Sequence, residues 1–448
     1  MLLTLSGKST FLFSAALFTL APLPLCAFET SSLQLTDSLS RFITDSHAEI
    51  SFRNQFKNLN TSDSGDSSVQ TGWGQGISLD YNSGYFADII GLDASYYQVY
   101  KLAASDDFAG RSVLYNHNGH ASGFHKLGQL LAKAKLEGDD SYLKLYSGWQ
   151  IVHQWGAITN SSRTIPSTYQ GWRMDSGAGP WVLRGAWLTR YSDRGAPQQI
   201  HFATADRKTE IGHLSTGELL YKQPGYSALY FFGESQQYLQ RHGLELGWHP
   251  AALSGNQVNV LGMLYYNHAL KNWKAMSADY RPFNNDAWHP SVYVEWREKS
   301  WKHKIGASYT KAKSSDRLGY FERHMAKNSR GRFSSMADAW GNDYVVNNEK
   351  MVAWTTEYLV TPEIKLGLQS AFGWGIKYRD HAIRRGETIL FSKWQPSAVK
   401  KLSFQLSGGP SWNYQNQKNR PILSAEGKPK RAINHSIDFQ IDYAFNLF

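Results

Sequence analysis

The side chains in this 448-residue chain with the clearest chemical use are rows of bases that share one parity along alternating segments. They are Arg53, Lys133, Lys135, Lys144, Arg184, Arg190, Arg297, Lys304, Lys365, Lys377 and Lys401, with Glu49, Asp80, Glu137, Glu245, Glu295, Glu357, Asp438 and Asp442 on the same side. Rows of guanidinium and ammonium groups can pass carboxylates from site to site, so they form a candidate lumen wall for anionic solutes. The plainer reading is a charged face that simply meets water. Two loops supply candidate constriction or substrate-binding residues. Trp155, Arg163, Tyr169, Trp172 and Arg173 lie in 153–175, and Tyr320, Arg323, Asp338 and Trp340 lie in 319–350. Aromatic faces stack on sugar rings while acids and guanidiniums bind hydroxyls, which suits an oligosaccharide path. Interfacial anchoring among surface loops is the alternative.

Catalytic chemistry has one suggestive string, Asn116-His117-Asn118-Gly119-His120 with Ser122 nearby. A hydrolytic triad needs a serine oriented by a histidine that a third group holds, and closeness in sequence does not supply that geometry. His117, His120 and His125 lack a neighbouring carboxylate and read as solvated loop residues, not metal ligands. No enzyme activity, cofactor or metal is expected. Cys26, the single cysteine, falls in the leader described below, so no disulfide is expected in the mature chain. A pI near 9.3 is accounted for by basic loops and lumen, without nucleic acid.

Something must hold these residues in place, and period-two alternation says what. From Ile437 to Leu447 the apolar Ile437, Phe439, Ile441, Tyr443, Phe445 and Leu447 oppose Asp438, Gln440, Asp442 and Asn446. The apolar faces of such strands need a covering layer, and no second set of buried strands is evident, so lipid is expected to cover them. Only 42% of residues are hydrophobic, and after residue 27 nothing approaches the roughly 18 consecutive apolar residues of a spanning helix. The 16 Trp, 25 Tyr and 22 Phe suit the two interfacial belts of a membrane barrel. Strands are predicted near 47–56, 76–82, 88–100, 129–137, 141–150, 170–176, 181–191, 209–222, 226–234, 243–249, 257–267, 291–298, 302–311, 351–360, 364–378, 388–395, 401–414 and 435–447. Short turns such as Gly138-Asp139-Asp140, Pro224-Gly225 and Ser254-Gly255-Asn256 alternate with long polar loops at 57–74, 102–128, 153–169, 311–350 and 415–435. The expected fold is all-β, a transmembrane antiparallel barrel of about 18 strands with long extracellular loops folding into the lumen. Residues 1–27, with Lys8, an apolar stretch from Thr10 to Ala21 and Leu25-Cys26-Ala27 before Phe28, read as a signal peptide, leaving 28–448 as the barrel.

Several short motifs in order carry a resemblance: Gly84-Tyr85-Phe86-Ala87-Asp88 with Gly91-Leu92-Asp93, then Ile165-Pro166-Ser167-Thr168-Tyr169-Gln170-Gly171, then Gly319-Tyr320-Phe321 with Asn348-Glu349-Lys350. The chain resembles the OprD family of outer-membrane porins, and within it the chitoporin branch of enteric bacteria. The resemblance implies an eighteen-stranded barrel in the bacterial outer membrane, a monomer or loose trimer, with inward-folded loops near 153–175 and 311–350. It implies passive diffusion of small solutes: chitooligosaccharides, as in the chitoporin branch, are the leading expectation, and carboxylates or basic amino acids, as in much of the family, the alternative. Expected partners are outer-membrane lipid and lipopolysaccharide, the small solute, and the barrel-assembly machinery through the C-terminal strand. Two departures stand out. Phe448 breaks the parity of its strand by one residue. The stretch 311–350 is rich in Lys and Arg, which favours an anionic solute or contact with lipopolysaccharide phosphates. A competing reading is a barrel-mounted adhesin or receptor, which predicts a plugged lumen.

Overall fold

The computed structural model describes residues 32–250, 257–315 and 317–448. The expected leader and the turn Ser254-Gly255-Asn256 lie outside them. Eighteen long strands form the wall. The first nine are β1 (His47–Thr61), β2 (Ser68–Asn82), β3 (Ile90–Ala104), β4 (Phe124–Glu137), β5 (Ser141–Gln150), β6 (Thr168–Ala178), β7 (Trp181–Ser192), β8 (Leu214–Gln223) and β9 (Tyr226–Ser235). The rest are β10 (Leu239–Trp248), β11 (Gln257–Ala269), β12 (Asp286–Glu298), β13 (Trp301–Tyr309), β14 (Lys350–Leu359), β15 (Ile364–Tyr378), β16 (His381–Trp394), β17 (Ser403–Tyr414) and β18 (Arg431–Asn446). Each pairs antiparallel with the next, and β18 returns to β1 from Glu49 opposite Asn446 to Asn60 opposite His435. Closure pairs both edges of the sheet, which lipid requires because it offers backbone groups no partner.

Alternation sorts the side chains. On β18, Ile437, Phe439 and Ile441 turn outward, while Asp438, Gln440 and Asp442 turn inward to Lys57, Gln55 and Arg53 on β1. Aromatic pairs ring the outer surface near both ends: Trp181–Tyr221 at 4.7 Å and Trp301–Tyr358 at 4.5 Å at the short-turn end, Tyr266–Trp288 at 4.3 Å at the long-loop end. Before the barrel, helix α1 (Ser32–Thr44), which alternation gives no sign of, rests on the β2–β3 turn through Gly84 N–H donating to the Phe42 carbonyl and an Arg41–Asp88 ion pair of 2.9 Å.

Several expectations are corrected. The 57–74 loop shrinks to 62–67, because β1 and β2 continue with polar residues on both faces, as in the Asn58–Thr71 side-chain hydrogen bond of 2.7 Å. The ladder goes on after the apolar signal ends. The strand expected over 209–222 begins at Leu214, and 193–213 is a long loop carrying two short strands, Gln199–Ala203 and Glu210–Ile211. Two bulges then reverse parity. Opposite β7, Gln170 faces Arg190 but Gly171 faces Leu188, so Thr189 is extra, Tyr191 turns into the core and Arg190 is left exposed outside. On β15, Gly373 faces Arg385 but Ile376 faces Ile383, and Gly375 at φ 95° takes up the extra residue. Ile376 is thereby buried inside and Lys377 goes outward. Lys401 precedes β17 in a turn, bonded to Glu49 at 2.5 Å and Asn446 at 2.7 Å at the short-turn rim. The other proposed wall bases, Arg53, Lys133, Lys135, Lys144, Arg184, Arg297, Lys304 and Lys365, keep the inward parity.

The chain ends by folding over its own seam. Leu447 N–H donates to the Ala48 carbonyl at 2.7 Å, and Ala48 N–H to the Phe448 carbonyl at 3.4 Å, so the terminal aromatic sits past the strand instead of within its alternation.

Ile437, 53% exposed, lies near the middle of the lipid-facing side of β18. Replacing it with Lys should lower barrel stability by about 2–4 kcal/mol, whereas Ile433→Lys near the rim should cost at most about 1 kcal/mol. Urea unfolding of vesicle-embedded protein distinguishes the two; equal losses would show that these positions are not at different depths.

Candidate functional site

The loops 151–167 and 310–349 fold into the barrel and touch one another. Ile158 bridges Gly331, Thr159 N–H donates to the Arg330 carbonyl at 3.0 Å and Arg332 N–H to the Ala157 carbonyl at 2.9 Å. Buried wall carboxylates hold both. Glu218 on β8 accepts from Gly156 N–H at 2.8 Å and from Arg332 at 3.2 Å. Glu245 on β10 grips Arg332 in a two-pronged contact, both at 3.0 Å, and accepts from Tyr265 Oη at 2.7 Å. Glu387 on β16 accepts three successive backbone N–H groups, from Trp340 at 2.9 Å, Gly341 at 3.1 Å and Asn342 at 2.7 Å. Arg385 pairs through two 2.7 Å bonds with Glu349 at the foot of the long loop. Gly156 (φ 56°) has no substitute, because a Cβ there would fall 2.1 Å from Thr216 Oγ1.

Between these polar anchors an apolar cluster also supports the 310–349 loop. Phe231, Tyr265, Trp273, Phe283 and Phe321 are buried in one cluster between loop and strands. Gly243 makes room for Phe231, whose ring would lie 2.1 Å from a Cβ at that position. The inserted loop therefore packs as a core does.

The residue set best suited to a passing solute surrounds a chamber of about 300 Å³ between the two loops, lined in part by Arg163, Arg194, Arg323, Arg330, Arg332 and Asp338. Arg332 is neutralised by Glu218 and Glu245. Arg323 is held by Asp338 and, at 2.5 Å, by Asp343; Asp338 also reaches Arg330 at 3.4 Å. Arg163 and Arg194 have no ion-pair partner among the described residues. Burial, then Arg194, with Arg111 and Arg330 adding to it, pushes Arg163 down to about 10, with Asp438 pulling the other way. Burial and Arg330 likewise lower Arg194, against Asp193. Both guanidiniums keep their protons at neutral pH, so the chamber carries positive charge that no ion pair among the described residues takes up. The same face continues to the wall, where Arg53 bonds Asp442 at 2.5 Å, Ser162 Oγ at 2.8 Å and the Arg163 carbonyl at 3.0 Å. Lys57 pairs with Asp438 beside it.

The structure separates the sequence candidates. Arg163, Arg323 and Asp338 come together at the chamber, while Trp340 lies apart from it against Phe391 of the wall. Trp340, 50% exposed, stacks on Phe391 at 5.9 Å and leaves part of its indole open to the lumen. Trp155 is buried, its Nε1–H given to the Gly185 carbonyl at 3.0 Å and its ring covered by Arg173 and Arg184 at 4.5 and 4.8 Å. It is thereby a packing residue, with Arg173 and Arg184 as its braces. Tyr169 is also buried, its ring tilted against Tyr191 and Phe202, with its hydroxyl donating to the Thr159 carbonyl at 2.9 Å and accepting from Arg330 N–H at 3.0 Å. Tyr320 is tucked into the loop through a bridge to Val346. Trp172, 64% exposed, is across the barrel wall on the lipid side beside Trp187, because β6 places it on the opposite parity from Arg173. The bases expected to reach lipopolysaccharide from 311–350 include Arg323, Arg330 and Arg332, which the fold turns into the lumen. Arg111, Arg194, Lys57, Glu218 and Glu387 escape a reading by strand parity: the first two lie in loops, and burial of the two glutamates depends on loops distant in sequence.

A closed eighteen-stranded barrel with apolar strands outside, charge inside and a constriction made of infolded loops is a membrane channel. The chain belongs to the OprD family of outer membrane porins, whose family model matches residues 40–418. It is accordingly a passive outer-membrane channel of a Gram-negative bacterium, not an enzyme. Among solved structures it is similar to Acinetobacter baumannii OccAB2 (TM-score 0.74, 17% identity, 91% of this chain and 100% of that one). It is also similar to Pseudomonas aeruginosa OpdK solved with vanillate (TM-score 0.73, 14% identity, 90% and 100%). A curated relative, the membrane-associated protein UidC of Escherichia coli K12, is 29% identical over 175 residues, 36% of this chain, and the match spans only 39% of that relative's length.

Glu387→Ala would leave three loop N–H groups without their acceptor, at roughly 1–3 kcal/mol for each that stays buried. Single-channel recordings should then show larger and noisier openings, while heat-modifiable electrophoretic mobility still reports a closed barrel. A quiet trace of unchanged conductance would mean that Glu387 does not hold the constriction.

Proposed function

We propose that the solute is a small carboxylate-bearing anion, drawn to the constriction by Arg163 and Arg194 and handed along Arg330 and the wall bases. The observation that carries this reading is the excess of guanidinium over carboxylate around the chamber between the two infolded loops, where most wall charges have an ion-pair partner and these two have none among the described residues. Anions gain at this point, and cations meet like charge in a space that water only partly screens. The fold relative solved with vanillate is consistent with it. A carboxylate can exchange one arginine for the next without a high barrier, because each contact resembles the last.

A chitooligosaccharide is the second reading, favoured by one observation: the lumen-facing part of Trp340 offers a flat surface to a sugar ring. Trp155 no longer supports it, its faces being taken by arginines.

Liposome swelling with simple carboxylates, basic amino acids and chitooligosaccharides compares the readings directly, and carboxylates should enter fastest. In planar bilayers, replacing Arg163 and Arg194 by Ala should lower anion over cation permeability by about fivefold for each charge removed, the equivalent of roughly 1 kcal/mol. An unmoved reversal potential would refute the anion reading. Loss of chitooligosaccharide block on Trp340→Ala would instead support the sugar.

A further inference from the structure

Outward-facing charge on a barrel is tolerated only near the bilayer surfaces. At the long-loop end of β15 to β18 it is concentrated. Lys377, Arg384 and Arg431 point outward, and the loop 415–430 adds Lys428 and Lys430. Lys428 pairs with Glu426 at 3.2 Å, both exposed; Asp380 is in the adjacent turn. Arg384, Lys430 and Arg431 have no side-chain partner among the described residues.

These bases line a cleft of about 620 Å³ with His381 and Trp412. Directly adjoining it is a second cleft of about 650 Å³, walled by Val352, Trp354, Phe372 and Trp374. The two share Phe372, Arg384 and Trp412, so one surface passes without interruption from cationic to apolar. Its floor is built for this: Gly386 lets the Trp412 indole lie on the strand, since a Cβ would come 2.3 Å from Cζ2. The cationic part is nearer the long loops, which face the exterior, and the apolar part lies towards the bilayer interior.

We infer that the two clefts together bind a phosphorylated glycolipid of the outer leaflet, its phosphate held by Arg384, Lys430 and Arg431 and an acyl chain laid along Trp354 and Phe372. A tetrahedral anion with several acceptor oxygens can engage three converging cations at once. A free phosphate ion would use the basic cleft and leave the apolar one idle, which is why the occupant is a lipid. The site is separate from the lumen and does not depend on which solute crosses it.

The test titrates the detergent-solubilised full chain with a bisphosphorylated lipid A, with its dephosphorylated form and with inorganic phosphate, read by native mass spectrometry. The bisphosphorylated lipid should bind at least tenfold more tightly than the dephosphorylated one. Arg384→Ala should weaken it about fivefold and the triple change Arg384→Ala, Lys430→Ala, Arg431→Ala about a hundredfold, from roughly 1 kcal/mol per base at a charged surface. Arg384→Lys should keep most of the binding, and single-channel conductance should be unchanged in all three. Equal binding of the two lipid forms, undiminished binding by the triple variant, or displacement of the lipid by equimolar inorganic phosphate would each overturn the assignment. The wild-type comparison of the two lipid forms decides the matter even where a variant fails to assemble.

Discussion

Three carboxylates buried in the wall, Glu218, Glu245 and Glu387, determine what kind of channel this is. Eighteen strands alone make a wide tube; the loop that they anchor makes it narrow. The dependence runs both ways. A buried carboxylate is unfavourable until its lone pairs are filled, and the loop fills them with three backbone N–H groups at Glu387 and the Arg332 fork at Glu245. Loop amides brought inside a barrel likewise need acceptors, and the wall supplies these. Neither half is stable in its observed place without the other, which is how a segment of 40 residues between β13 and β14 with almost no regular structure holds one conformation.

With the loop in place, charge divides into two populations. Strand bases are largely neutralised by neighbours on the adjacent or the same strand: Arg53 by Asp442, Lys57 by Asp438, Lys365 by Glu357 at 2.8 Å, Lys302 by Glu295 at 3.0 Å and Lys144 by Glu137 across strands, Lys135 by Glu137 along its own. Such pairs hydrate the lumen and give it little net sign. The excess is on loop arginines: Arg194 and Arg111 both crowd Arg163. The unpaired positive charge of the lumen thus sits on the loops more than on the continuous basic wall that strand parity suggests.

Strand number, order and most inward charges were legible in the chain because lipid imposes a rule with a period of two, and Ile437 to Phe445 obeys it residue by residue. Where the rule lapses, so does legibility. Residues 57–61 are strand without an apolar face; Arg190 and Lys377 follow single-residue bulges that no local composition announces. The candidate site was only partly readable for a different reason. Arg163, Arg323, Asp338 and Trp340 stand out as chemically apt types in unusual loops, but whether a tryptophan stacks on solute or, like Trp155, beneath two arginines of the next two strands depends on how its loop folds back on the wall. Trp172 shows the remaining ambiguity: one step of parity separates a lumen residue from a lipid anchor.

The two bulges also show why parity should change with height. At mid-membrane the outside must be apolar and the inside polar. Towards the long-loop end both demands reverse, since water and headgroups are outside while packed loops are inside. A single inserted residue achieves the exchange: on β15 it sends Ile376 in to join Leu318, Val346 and Tyr414 and sends Lys377 out; on β7 it sends Tyr191 in against Tyr169 and Arg190 out. The apolar support of the constriction and the cationic outer rim are then two results of one geometric step. A strand that kept strict alternation to its tip would have put a lysine under the inserted loop and an isoleucine among phosphates, and would have lost stability on both sides of the wall.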